Sequence, residues 1–251
     1  IKPTTFDISF YNVEFSYSGK KILDDISVKI PQNQMTAIVG PSGAGKTTFC
    51  NLIARFWDVE KGEISIGKHN IKEYSLESLM RQISMVFQNV YLFQDTIENN
   101  IKFAKPDATH DEVIEAAKKA CCHEFIMKLP EQYETVIGEG GASLSGGERQ
   151  RISIARAMIK NAPIIIFDEA TANVDPENED KLQVAMEELT RNKTVIMIAH
   201  RLKTIKNANQ ILVLANGKIN QKGTHEELIQ AEGIYKNFVE ARQKAVNWKL
   251  S

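Results

Sequence analysis

Gly40-Pro41-Ser42-Gly43-Ala44-Gly45-Lys46-Thr47 follows the apolar run Met35-Thr-Ala-Ile-Val39 and leads into Thr48-Phe-Cys-Asn-Leu-Ile-Ala-Arg55. Strand-like, glycine-rich and helix-like text in that order is the setting of a phosphate-binding loop, and the residues match G-x-x-x-x-G-K-[ST] without a mismatch. Gly40, Gly43 and Gly45 allow the bend in which successive backbone N–H groups face phosphate oxygens. The helix starting near Lys46 adds the positive end of its dipole. Lys46 is expected to reach the β- and γ-phosphates and the Thr47 hydroxyl to ligate Mg²⁺, with the cradle running from Gly40 through Thr48. A glycine-rich turn without a ligand is the competing reading, and the Lys-Thr register weighs against it.

Two further strings carry chemistry. Pro163-Ile-Ile-Ile-Phe-Asp168-Glu169 is a continuous apolar run ending in two carboxylates. Such a run suits a parallel strand buried on both faces, with Asp168 at the C-terminal tip where open α/β sheets bind ligands. Asp168 reads as the metal partner and Glu169 as the group that orients or deprotonates an attacking water. An acidic pair capping the next helix is the plainer alternative. Leu144-Ser-Gly-Gly-Glu-Arg-Gln150 opens an amphipathic helix, and Ser145 with Glu148 three residues on is a capping box. A helix start with two glycines is also an anion site, and both readings of it can hold.

The loop and the Leu144–Gln150 string together resemble the ATP-binding cassette family. Over nearly its whole length the chain is similar to the nucleotide-binding domain of an ATP-binding cassette transporter. The resemblance implies ATP and Mg²⁺ as ligands, with Thr47, Gln88 and Asp168 around the metal. It implies that Tyr17, in Val13-Glu-Phe-Ser-Tyr17, stacks on adenine. Gln88, in Met85-Val-Phe-Gln-Asn89, matches the glutamine that touches the metal and the water while sensing a membrane domain. His200, after Thr194-Val-Ile-Met-Ile-Ala199, matches the histidine at the γ-phosphate. Ser145, Gly146 and Gly147 are implied to close on the ATP of a partner cassette, and Asp175 to cross to it. Asp175 also reads as an N-cap with Pro176 at the first helical position. Ala172-Asn173-Val174 stands where Ser-Ala-Leu is usual, Glu148 replaces a frequent glutamine, and Gly138-Glu139-Gly140-Gly141 lacks the arginine of the exporter motif it resembles.

Within the family, Asn89-Val-Tyr-Leu-Phe-Gln-Asp-Thr-Ile-Glu-Asn-Asn-Ile101 resembles exporter-type cassettes, as do Arg55-Phe-Trp-Asp58 and Thr224-His-Glu-Glu-Leu228. Such cassettes are fused behind six membrane helices and work as head-to-tail pairs, identical or related, on the cytoplasmic face of the membrane. A separate ATPase subunit of an importer is the alternative. A chromosome-maintenance ATPase would need a long coiled coil between Lys46 and Ser145, and a translation-type protein would carry two cassettes; neither is seen.

Composition agrees without deciding. The chain has 251 residues, 43% hydrophobic and 25% charged, with a net charge of −1, so broad nucleic-acid binding is not expected. Cys50, Cys121 and Cys122 form no disulfide framework, and Cys121-Cys122-His123 reads as helix surface and core. No apolar run approaches the roughly 20 residues of a membrane span. The start at Ile1-Lys-Pro, without methionine, is expected of a domain from a longer polypeptide. The fold expected is α/β, residues 1–251 forming one ATPase domain. It has a phosphate-loop core with a mainly parallel sheet, an antiparallel β subdomain at residues 8–31, and a helical subdomain near 88–160 carrying the signature. From about residue 72 to 160 the text turns helical. Tyr91, Leu92 and Phe93 fall in a loop without periodicity, and an exposed cluster there would mark a docking surface.

Overall fold

The computed structural model describes residues 1–138, 143–168 and 176–250, with the backbone alone at 176–177 and 245–250. Expectations on Glu139, Gly140, Gly141, Glu169 and Ala172–Asp175 lie outside the described residues. The chain divides into two compact units. The first takes Ile1–Ile83, the end of the strand Ile164–Asp168, and the chain from Asn192 on; the second takes Ser84–Ile165 and the helix Pro176–Thr190.

An antiparallel sheet in the first unit has the order β2-β1-β4-β5, from β1 (Ile8–Tyr17), β2 (Lys20–Ile30), β4 (Lys61–Ile66) and β5 (His69–Asn70). Along β2, Ile26, Val28 and Ile30 are buried while Asp25, Ser27 and Lys29 are exposed, the period-2 alternation of a half-buried strand. Ser18 and Gly19 join β1 to β2 with φ of 47° and 81°, the two left-handed residues that match a hairpin's twist. That turn leaves Tyr17 at the end of its strand.

The other sheet has the order β10-β9-β3-β8-β7-β6, from β3 (Met35–Val39), β6 (Ile83–Val86), β7 (Ile164–Asp168), β8 (Thr194–Ile198), β9 (Gln210–Ala215) and β10 (Lys218–Gly223). It is mainly parallel: β3 pairs in parallel with β8 and β9, and β10 returns antiparallel on β9. The β9–β10 turn is Asn216-Gly217, φ 51° and 73°, as its sequence signals. Every residue of β8 and β9 is buried, as a sheet covered on both faces requires. Helix α1 (Lys46–Ile53) ties the loop to the antiparallel sheet through Phe49, whose ring stacks on Phe10 at 4.3 Å. Helices α2 (Leu76–Gln82), α8 (Leu202–Asn207), α9 (His225–Gln230) and α10 (Ile234–Leu250) belong to the first unit, whereas Ser84–Val86 of β6 and Ile164–Ile165 of β7 fall in the second.

In the second unit α3 (Ile97–Lys102), α4 (His110–Lys119), α5 (His123–Met127) and α7 (Pro176–Thr190) accompany α6 (Gly146–Lys160), which packs on α3, α4 and α7. Local chemistry sets the helix starts. Thr109 with Glu112, and Ser145 with Glu148, make complete capping boxes. Asn161 ends α6 in the left-handed region at φ 53°.

Two expectations need correction. The stretch 72–160 is not helical throughout, because Ile83–Val86 is strand β6, whose β-branched ends are buried in the sheet. Cys121-Cys122-His123 does divide between surface and core, Cys122 being buried and Cys121 not, but it is not a stretch of helix: Cys121 sits at φ 56° and α5 starts only at His123, whose Nδ1 meets the Tyr133 hydroxyl at 2.8 Å.

Candidate functional site

At the end of β3 the chain passes so close to β9 that a Cβ on Gly40 would lie 2.0 Å from the Leu214 carbonyl oxygen. No side chain fits there. The loop then enters α1 through Gly45 in the left-handed region, φ 99°, and no side chain caps the helix. Its first turn also holds no acidic residue. The unbonded N–H groups at this helix start therefore face no negative group of their own helix, the condition under which an anion is held best. The Lys46 ammonium donates to the Gly40 and Pro41 carbonyl oxygens at 2.8 Å each, which keeps the cation over the loop. Burial pushes its pKa down; the Asp168 charge opposes that and the Arg242 charge adds to it. Pro41, Ser42, Gly43 and Thr47 are exposed, while Ala44, Gly45 and Thr48 are buried.

Asp168 ends β7, and His200 follows β8, the strand beside β7 in the sheet. His200 Nε2 stands 4.0 Å from Asp168 Oδ1. Burial raises the Asp168 pKa, the charges of His200 and Lys46 pulling it the other way. A half-buried carboxylate and the Thr47 hydroxyl are hard oxygen donors of the kind Mg²⁺ takes beside a phosphate-binding lysine. These residues fit the metal. Arg242 of α10 donates to the His200 carbonyl, a contact that no motif announces. The structure thus brings Lys46, Asp168 and His200 into one electrostatic group.

Tyr17, at the end of β1 in the first unit, lies among aromatics. Phe15 is edge-on to it at 4.8 Å and Trp57 at 5.3 Å. Sequence reasoning used Arg55-Phe-Trp-Asp58 only as a point of resemblance to exporter-type cassettes and gave Trp57 itself no role.

Gln88, Ser145, Gly146 and Gly147 belong to the second unit. Gln88, Ser145 and Gly146 are exposed, and Gly147 is buried. Ser145 Oγ accepts from Glu148 N at 3.2 Å, and Ser145 N donates to the Glu148 carboxylate at 2.8 Å. After Gln88, Tyr91 is 57% exposed and Phe93 half-buried, and they meet edge to face at 5.2 Å. Phe93 also packs on the exposed Phe103 at 4.4 Å. Leu92 differs: it is fully buried core, so the expected cluster is aromatic and omits it.

The profile of the family described as ABC transporter matches residues 23–172, more than half of the chain. This chain belongs to the ABC transporter family. It is 51% identical over 235 residues to an ATP-dependent lipid A-core flippase of Desulfotalea psychrophila, covering 94% of this chain and 41% of that protein. With a putative multidrug export ATP-binding/permease protein of Bacillus subtilis it shares 49% over 233 residues, 92% of this chain and 40% of the other. The solved structure of a bacterial Atm1-family ABC exporter with ATP bound superimposes with a TM-score of 0.90 at 40% identity, covering 97% of this chain and 42% of that one. The chain thus spans about two fifths of the length of these relatives, all exporter-like rather than importer subunits by their names. Among the described residues no helix is long and apolar enough to cross a membrane.

Proposed function

We propose that this chain is the ATP-hydrolysing cassette of an exporter-type membrane transporter, residues 1–251 acting as one ATPase domain with a helical subdomain at about 88–160. The reading rests above all on the uncapped start of α1, a left-handed Gly45 followed by a lysine already held over the loop. The backbone of Gly40–Thr48 and Lys46 bind the triphosphate, and Tyr17 stacks on the base. Thr47, Asp168 and Gln88 would hold Mg²⁺, which would supply charge neutralisation on the triphosphate. His200 contacts the γ-phosphate, and Glu169 orients or deprotonates the attacking water. Ser145, Gly146 and Gly147 complete the site of a second cassette, so two copies, or this chain and a homologue, close head to tail. The cassette works at the cytoplasmic face, coupled to membrane helices through the partly exposed Tyr91–Phe93–Phe103 cluster that follows Gln88 in the chain. No nucleic acid enters the cycle.

Because each site borrows half its residues, ATPase activity per molecule should rise with protein concentration. Glu169→Gln should keep ATP binding and slow hydrolysis by ~10²-fold or more, the scale of lost general-base help. The variant should run as a dimer on size exclusion with ATP and Mg²⁺, the parent mostly as a monomer. A rate per molecule that stays constant across a wide dilution series sinks the paired mechanism.

A further inference from the structure

Trp57 is 51% exposed, an unusual place for a large indole, and it is held there by several contacts. Arg55, just after α1, takes a left-handed backbone at φ 54°, rare for a residue other than glycine, asparagine or aspartate. Its guanidinium bonds Asp58, the residue after Trp57, at 3.0 Å and the Tyr74 carbonyl at 3.2 Å. Beyond Trp57, the Glu60 carboxylate accepts from Ser16 N and Ser16 Oγ, each at 3.1 Å, and Glu60 N donates to the Glu14 carbonyl. Segment 55–60 is thereby fastened to β1 at the residue directly before Tyr17. Trp57 then lies nearly perpendicular to Tyr17, at 80° and 5.3 Å, with Phe15 closing the third side.

A side chain placed only by burial would not need this framework, since exposed apolar surface gains little from being fixed. A ring that must hold another ring in one orientation does need it. We propose that Trp57 is a positioning residue of the base site, fixing the plane of Tyr17 and walling the side of the purine stacked on it. The inference rests on the reading of Tyr17 as the adenine-stacking residue and extends it to a second aromatic. Base selectivity then comes from a preorganised pair and not from one free tyrosine.

The test compares ATP with inorganic tripolyphosphate, which has the phosphates but no base, by calorimetry on the 251-residue chain. Tyr17→Ala should weaken ATP and leave tripolyphosphate unchanged. Trp57→Ala should do the same to a smaller degree, roughly 2- to 10-fold, the scale of one aromatic pair. Trp57→Leu, which keeps apolar bulk without a ring, should behave like the alanine variant, and Trp57→Phe should restore most of the selectivity. In a Trp248→Phe background, Trp57 fluorescence should respond to ATP and not to tripolyphosphate. If Tyr17→Ala leaves the ratio of the two affinities unchanged, the adenine reading of Tyr17 fails. If Tyr17→Ala collapses that ratio and both Trp57→Ala and Trp57→Leu keep the parental one, the role of Trp57 is overturned while that of Tyr17 stands. Equal loss of ATP and tripolyphosphate in the Trp57 variants likewise overturns it, since that reports a general loss of fold.

Discussion

Helices α1 and α6 both begin at glycines, yet their first turns are built in opposite ways. α1 starts from a left-handed Gly45 with no side-chain cap and no acid in its first turn. α6 starts from Ser145, bonded both ways to Glu148, which puts a carboxylate at the positive end of the helix. An uncapped start is unstable until an anion fills it, whereas a capping box satisfies itself. The first is therefore a site that depends on ligand, and it has Lys46 to supply charge. The second is a finished piece of structure that presents Gly146 and Ser145 to the outside. On the proposed reading one helix start binds its own ATP and the other recognises ATP already held by a partner.

The sharpest way to break this contrast is Lys46→Ala. Removing one member of a partly buried charge contact costs about 2–5 kcal/mol, or roughly 30- to 4000-fold in affinity. Calorimetry should show ATP binding lost or nearly so, with the fold intact by circular dichroism. Retained micromolar binding would mean that the uncapped backbone alone carries the phosphates.

Gly146→Ala tests the other helix. A Cβ at Gly146 would meet nothing within 4 Å, and alanine suits a helix better by up to about 1 kcal/mol. The variant should therefore melt no lower than the parent and bind ATP as well, yet lose the rise of ATPase activity with concentration. If that rise persists unchanged, the added methyl faces no partner and α6 is only structure.

How much of this could be read from the chain depends on how local the cause is. The phosphate loop, the β7 strand ending in Asp168 and the α6 capping box are each set by residues within a few positions of one another, and they appear where expected. Strand β6 is four residues between helix and loop, and only its place in the sheet makes it a strand. The split between buried Leu92 and exposed Tyr91 has a distant cause too. Asn100, 1% exposed, bonds Phe93 N and O through its side chain, while Arg156 of α6 donates to the Asn100 carbonyl and the Tyr91 carbonyl. These contacts span 7 to 65 residues, and no periodicity encodes them. Trp57 was missed for the same reason, since Glu60 and Ser16 are 44 residues apart.

A smaller effect sharpens the α1 side. Asp168 has a native pKa raised by burial, and that direction already includes the opposing pull of Lys46 and His200. Between the ordinary carboxylate value and the raised one, the native state binds more protons than the unfolded chain, so stability falls as pH rises through that window. Above it the ionised carboxylate remains a cost to the ligand-free protein. Asp168→Asn should accordingly raise the melting temperature at neutral pH without nucleotide. The gain should shrink on acidification and vanish below the ordinary carboxylate pKa. With ATP and Mg²⁺ the order should reverse, since the parent alone gains from the metal. An asparagine variant that melts lower than the parent at neutral pH, ligand-free, would remove Asp168 from the set of residues held ready for a ligand.

The least of the expected effects tests α6 through its acid. Glu148→Gln keeps an oxygen for the Ser145 N–H and so preserves the capping box, but it removes the charge at the helix start. A carboxylate in a first turn is worth about 0.3–1 kcal/mol, so the isolated variant should be slightly less stable. In a closed pair the same carboxylate would stand near the partner's triphosphate, where like charge repels. Glutamine should then tighten ATP-dependent dimerisation by roughly 2- to 5-fold, the equivalent of that interaction energy. Added salt should narrow the difference, because screening shortens the reach of both terms. Sedimentation of the two forms in a Glu169→Gln background, where hydrolysis does not blur the equilibrium, measures it directly. A glutamine variant that dimerises more weakly with ATP would show that the Glu148 charge helps the closed state, and the two helix starts would then differ less than their caps suggest.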